Sequence, residues 1–424
     1  MSKIQDIKAR EILDSRKNPT IEVKLKTDSG KFLASVPSGA SKGKYEALEL
    51  RNNGKGVLKA IKNVNEIIGP KLKGEDPSKQ KKIDEILINL DGTENKSRLG
   101  ANAICGVSLA VCRAGTAEKN ISLWEYISNL SIYEIDRFPI PCFNLIEGGA
   151  HTKNDLDFQE FMIVPYTGIS RKFQSGRLAQ GENRPQRDSF AENLRIGSEI
   201  YNQLKENLSQ RYNKKGLILG DEGGFSAQIK LPEEAIEFIL KAARDLNYQN
   251  EIKILLDIAS SQFYDGEHYK MKIGVFTRED LNKYYSDLIS KYPILGLEDP
   301  FSEEDWQGWQ DLNAKCLIIG DDLTVTNPKR IKMAKEKKAC NGVIIKINQI
   351  GTLTEAIEAV KLAKSYGWKT IVSHRSGETN DDFIADFSVG VGADFIKAGA
   401  PAQKERMAKY KRLLEIEKEI QSIK

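Results

Sequence analysis

The chain has 424 residues, 40% apolar and 29% charged, a balance that builds a packed core and excludes a disordered chain. With 64 lysines and arginines against 60 aspartates and glutamates, the net charge of +4 is too small to argue for nucleic acid or an anionic membrane surface. No run approaches the roughly 20 consecutive apolar residues of a membrane span, and a chain this long is expected to fold as two domains.

Residues 3–36 alternate apolar and polar positions (IEVKLKT, KFLASV) around the turn Asp28-Ser29-Gly30, which predicts antiparallel strands with one solvated face. Helical patterns follow at about 57–68, 78–90 and 101–117, the last almost wholly small and apolar and therefore buried. This first, α+β unit is expected to occupy residues 1–138 and end at the proline-marked RFPIPCF; residues 139–424 form the second unit. Within it, PCFNLIEGG and DFQEFMIVP predict two strands before a long helix at about 188–213, and the last segment, ERMAKYKRLLEIEKEIQSI, predicts an amphipathic helix closing the fold. The stretch 169–188 carries five lysines and arginines with two glycines and a proline. It reads as an exposed loop with solvated charges, or as a contact surface for another subunit or an acidic partner.

The five cysteines include no C-x-x-C and sit in apolar stretches such as ANAICGVSLAVC, which predicts buried free thiols. With an N-terminus, MSKIQDIKAR, that lacks an apolar signal core, the expected compartment is reducing cytoplasm.

Six short apolar runs in the second half each end on a polar residue: ILLD at Asp257, ILGLE at Glu298, LIIGD at Asp321, VIIK at Lys346, IVSHRS at His374 to Ser376, and DFIK at Lys397. From Glu298 onward the endings recur every 23 to 28 residues or so, one strand plus one helix, the period of a (β/α) barrel whose strand ends share one mouth. Any one acid there reads equally well as a helix N-cap. Three in succession at one mouth point to hard oxygen ligands for a divalent cation such as Mg²⁺. Of the pair Asp321-Asp322, one is expected to meet metal and the other to cap the next helix.

Lysine rarely ends an apolar strand, because its ammonium needs a carboxylate partner or a lowered pKa. Lys346 therefore reads as a buried ion-pair member or a general base, and Lys397 as a second cation suited to a carboxylate or phosphate. Arg375 and Ser376 supply a guanidinium fork and a hydroxyl, a natural phosphate pair. GDEGG sets Glu222 between glycines, and GGAHTKNDLDFQEFM brings His151, Gln159 and Glu160 toward the mouth. SGASKGKYEALE (38–49) predicts a small-residue loop, a candidate lid, leading into a helix; it lacks the P-loop pattern, which argues against ATP.

Taken in order, DSRKNPTIEV, PSGASKGKYEALELR, DGTENKSRLGANAICGVSLA, QEFMIVP, GDEGGF, LEDPF, GDDLTVTNPKRI, KINQIGTLTEAI, SHRSGET and IKAGAP resemble the enolase family across nearly the whole chain. The resemblance implies a C-terminal (β/α)8-type barrel with an atypical ββαα start beneath a smaller N-terminal α+β domain. It implies reversible dehydration of 2-phosphoglycerate to phosphoenolpyruvate with two Mg²⁺, the second arriving with substrate. By the same resemblance Lys346 is the base, Glu222 the acid, and His151, Gln159, Glu160, Arg375, Ser376 and Lys397 bind substrate. Asp257, Glu298 and Asp321 would hold the tighter metal and Ser41 the second. A homo-oligomer is implied as well.

The chain departs from the family pattern at Lys17 (family glycine), Lys42 (threonine), Glu147 (asparagine) and Gln262 (glutamate). Glu22 and Glu415 stand where family dimers pair opposite charges. The competing reading is a diverged copy acting as a scaffold, or displayed at a cell surface without a signal peptide to bind a host protein.

Overall fold

Residues 2–133, 137–152, 154–165, 189–212 and 217–422 are described by the structure, a computed structural model. The basic stretch 169–188 lies outside them. Strands β1 (Asp6–Leu13), β2 (Pro19–Thr27) and β3 (Gly30–Ser35) make the expected antiparallel sheet in that order. Alternation decides its faces: Ile21, Val23, Leu25 and Thr27 are buried while Lys24 and Lys26 face out. The helix Ala101–Lys119 covers the buried face. It comes close because Gly106 lacks a Cβ, which would lie 2.7 Å from Val23 Cγ2.

The other predicted helices appear at Leu58–Asn63, continuing through a wider π-type turn at Val64–Ile68, and at Gln80–Asp91. The helix expected after the 38–44 loop does not form: Tyr45–Leu50 is irregular. Its backbone groups are taken by distant partners, Ala47 N–H by the Gln349 carbonyl (2.8 Å), Leu48 N–H by the Asn95 carbonyl (2.7 Å) and Leu50 N–H by Asn102 Oδ1 (3.1 Å). Helix propensity there loses to tertiary hydrogen bonding.

The second unit opens with β4 (Ile140–Glu147) and β5 (Glu160–Pro165), then helices Phe190–Tyr212 and Pro232–Asp245 with the short strands β6 (Ile218–Leu219) and β7 (Phe225–Ser226) between them. After β8 (Ile252–Asp257), β9 (Tyr269–Met271) and β10 (Gly274–Phe276) form a separate hairpin. Strands β11 (Ile294–Glu298), β12 (Leu317–Gly320), β13 (Gly342–Ile345), β14 (Lys369–Ser373) and β15 (Phe395–Lys397) complete the sheet. The order β4-β5-β8-β11-β12-β13-β14-β15, closed by β15 on β4, is an eight-stranded barrel with the ββαα start. Only β5 runs against its neighbours, so its first residue, Glu160, reaches the mouth and pairs in register with Glu147 and Asp257.

Inside the barrel Cys142, Met162, Val164, Leu255, Ile319, Ile344, Ile371 and Phe395 form a buried apolar cluster below that mouth. Cys105, Cys112, Cys142 and Cys340 are buried, Cys316 partly so, and all five are free. Among the described residues no helix is long and apolar enough to cross a membrane.

Candidate active site

Each polar ending of the six runs projects from a strand C-terminus, where the apolar stretch stops because the barrel interior does. Ser41, His151, Gln159, Glu160, Glu222, Lys346, Arg375, Ser376 and Lys397 line one pocket at the mouth. Asp257 and Glu298 are buried beside it, bonded to lining residues.

Lys397 Nζ sits among three carboxylates, 2.9 and 3.0 Å from the Glu298 oxygens, 3.2 Å from Glu160 and 3.3 Å from Asp257. Burial opposes its charge, but those carboxylates outweigh it and hold the ammonium well above its ordinary pKa. Lys346 Nζ is bonded to Asp321 Oδ2, whose other oxygen accepts Gln349 Nε2 at 3.0 Å. Burial again works against the ammonium, and Asp321 leads the charges that keep its pKa raised. Burial, with Asp257 next to it, pushes Glu298 up to about 8. Four buried carboxylates (Glu160, Asp257, Glu298, Asp321) thus share two ammoniums, an excess of hard oxygen that suits a divalent cation. The triad Asp257, Glu298 and Asp321 is divided between the two lysines. Among the described residues the side-chain groups whose ligand atoms all lie within 4.8 Å of one another are instead Asp299–Asp321–Asp322 and His151–Glu160–Glu222.

Asp322 does not cap a helix. Asn327 caps Pro328–Glu336, while the N–H groups of Asp321 and Asp322 donate to Asp299 at 2.9 and 2.7 Å. Asp299 thereby locks the turn after β12, a role its place in LEDPF did not reveal.

Glu222 hangs on the loop between β6 and β7. Its Oε2 lies 3.0 Å from His374 Nε2 and accepts Asn144 Nδ2 at 3.2 Å; its Oε1 lies 3.9 Å from His151 Nδ1. The Arg406 guanidinium, 2.6 Å from His374 Nδ1, can only donate, which leaves the imidazole proton on Nε2 facing Glu222. Burial lowers His374 to about 4, against the pull of the Glu222 carboxylate. Burial opposes the charge on Glu222 too, yet the surrounding imidazoles and Arg406 keep its carboxyl well below the usual range.

Arg375 holds Glu46 with both Nη atoms at 3.0 Å, Asn348 Oδ1 at 3.1 Å and the Ser41 carbonyl at 3.2 Å. Ser376 Oγ accepts Ala40 N–H at 2.6 Å, so the 39–46 loop is docked on the proposed phosphate pair. Arg406, which also donates to the carbonyls of Arg375 (2.7 Å), Ser376 (2.6 Å) and Asp221 (2.8 Å), was missed in sequence. Its signal was there: Arg406 and Lys409 share the buried stripe of the last helix with Tyr410 and Leu413, where cations are expensive unless paired. Gln262, a departure from the family pattern, bonds Gln159 and accepts Ala150 N–H at 2.9 Å.

The family model of the enolase N-terminal domain matches residues 4–127, and that of the enolase C-terminal TIM barrel domain matches 136–180 and 183–424. The chain is 46% identical to the enolase of Mastigamoeba balamuthi and 48% identical to enolase B of Dictyostelium discoideum. Each alignment spans 442 positions, 99% of this chain and 96% of the relative. Matched in both domains over almost its full length, the chain belongs to the enolase family of lyases.

Proposed function

We propose that this enolase dehydrates 2-phosphoglycerate reversibly to phosphoenolpyruvate with Lys346 as the base at C2 and Glu222 as the acid at the C3 hydroxyl. The observation that carries the assignment is their placement: one after β13, the other on the loop beside β4, both facing one pocket. Substrate phosphate fits the Arg375 fork and the Ser376 hydroxyl, taking the place of Glu46. Lys397 orients the substrate carboxylate, and Gln159, Glu160 and His151 line the side on which hydroxide leaves. Asp257, Glu298 and Asp321 would hold one Mg²⁺, and Ser41 on the closing loop a second. When bound, these cations supply positive charge that stabilises the double negative charge built by C2 deprotonation and, through Asp321, lowers the proton affinity of Lys346. Glu222, held as a carboxylate by its surroundings, must take up a proton once the anionic substrate is bound and before hydroxide departs; His374 Nε2 lies 3.0 Å from it.

The working form is a cytoplasmic homo-oligomer in this reading. Within its own chain Glu22 pairs with Arg10 (2.7 Å), while Glu415 lies 3.2 Å from Arg412, a guanidinium it shares with Asp386 and Glu419. A scaffold without activity is disfavoured, since binding elsewhere gives no reason to maintain so many buried charges at one mouth.

The test is ultraviolet absorbance of phosphoenolpyruvate formed from 2-phosphoglycerate with Mg²⁺ and with EDTA. Turnover that EDTA abolishes is expected; its absence in well-folded protein would sink the assignment.

A further inference from the structure

Glu147, the last residue of β4, has no exposed surface and does not itself line the pocket, yet the loop bearing Glu222 is built around it. Its Oε1 accepts the N–H of Gly224 at 2.6 Å and lies, like Oε2, 3.2 Å from the N–H of Glu222. The loop closes over the carboxyl by its own bonds, Gly220 N–H to the Gly224 carbonyl (2.9 Å) and Gly223 N–H to the Gly220 carbonyl (3.2 Å). Two of the three loop glycines are needed for this approach. A Cβ on Gly220 would collide with Glu147 Oε2, and one on Gly224 would lie 3.0 Å from Oε1. Behind the carboxyl, the Glu147 carbonyl is tied by Asn154 Nδ2 at 2.6 Å.

We propose that Glu147 is a positioning residue for the dehydration step: its carboxyl is the fixed post that sets where the Glu222 side chain enters the pocket. This rests on Glu222 being the acid. The charged and titratable groups facing the post are Glu222, His151 (Nδ1 3.9 Å from Oε2), Arg406 and Tyr201. Burial and the Glu222 charge raise the Glu147 carboxyl well above its ordinary value, while Glu222 is held below its own. What the loop grips is an acceptor oxygen, and an amide of the same length supplies one.

Glu147→Ala, which removes the acceptor, lowers kcat for phosphoenolpyruvate formation on the order of 10- to 100-fold, with KM within about 3-fold, because substrate binding is untouched while the acid is misplaced. Glu147→Gln restores kcat to within about 3-fold of the parent. If Glu147→Ala does not fold, Gly224→Ala, which pushes on the same carboxyl, shows the same kcat loss at steady KM. A parental kcat in the alanine variant, a proportional loss in kcat and KM, or a glutamine variant as impaired as alanine overturns the proposal. Glu222→Gln separates the two claims. If it keeps its dehydration rate, the acid assignment falls; if it loses that rate while Glu147→Ala does not, only the post does.

Discussion

Lys346 shows how a side chain can serve as an ion-pair partner in one state and a base in another. Its ammonium is held by Asp321, which is also a proposed cation ligand, so the lysine and the cation compete for one carboxylate. Lys346→Ala is expected to lower kcat by about 10³-fold or more, the range of a lost general base. Mg²⁺ affinity should stay level or tighten, because Asp321 is released. Steady-state kinetics beside calorimetric titration with Mg²⁺ checks both, and near-normal turnover removes Lys346 as base. Lys17 makes a second case at this scale. It stands in the β1–β2 turn with a left-handed φ of +64°, and its N–H bonds the Asp14 carbonyl at 2.9 Å. A non-glycine residue costs about 1 kcal/mol there. Lys17→Gly should therefore raise the Tm by a degree or more, on the order expected for this size of chain, and an unchanged or lowered Tm by scanning calorimetry counts against the strain.

Between elements, the helix Ala101–Lys119 is fastened to the barrel by Arg113, whose two Nη atoms meet Asp381 at 2.7 and 2.9 Å. Asp381 also accepts Ser35 N–H at 2.9 Å, so β3, the helix and the segment after β14 share one carboxylate. Burial opposes its charge, but Arg113 and the backbone donors hold its pKa below the ordinary value. A depressed carboxylate adds stability that is present above its unfolded-state pKa and is lost as pH falls through the folded one. The clamp is expected to hold at neutral pH and to weaken only below about pH 4. Asp381→Asn should destabilise by about 1–3 kcal/mol, less than a fully orphaned buried charge because Asp382 also lies 3.2 Å from Arg113. Urea denaturation at pH 7 measures that loss, and an unchanged midpoint would show that Asp382 alone suffices.

Across the whole molecule the two units are tied by buried polar contacts. Asp84 accepts Ser108 Oγ at 2.7 Å and both the hydroxyl and N–H of Thr354, at 2.6 and 3.0 Å, while Lys96 pairs with Glu355 at 2.8 Å. Separating the units would exchange the contacts between them for water, a net loss of about 1.5–3 kcal/mol for each hydrogen bond to a charged group. Calorimetry is therefore expected to show one unfolding transition, moved upward by saturating Mg²⁺ because the cation binds the folded site. Two separate transitions would mean that the units do not stabilise each other.

The sequence by itself determined the barrel period and the strand-end residues, since an apolar run stopped by Asp257, Glu298 or Lys397 states locally that the chain has left the core. It determined the N-terminal sheet for a similar reason, alternation along β2 being a property of consecutive residues. What only the tertiary structure decided was partnership. That Lys397 would hold Glu160, Asp257 and Glu298, that Arg406 would brace His374, and that Glu147 would anchor the Glu222 loop all depend on groups far apart in the chain. The irregular Tyr45–Leu50 segment has the same origin. Its residues favour a helix among themselves, and the hydrogen bonds that override this come from Asn95 and Asn102 of the same unit and Gln349 of the other, all far away in the chain.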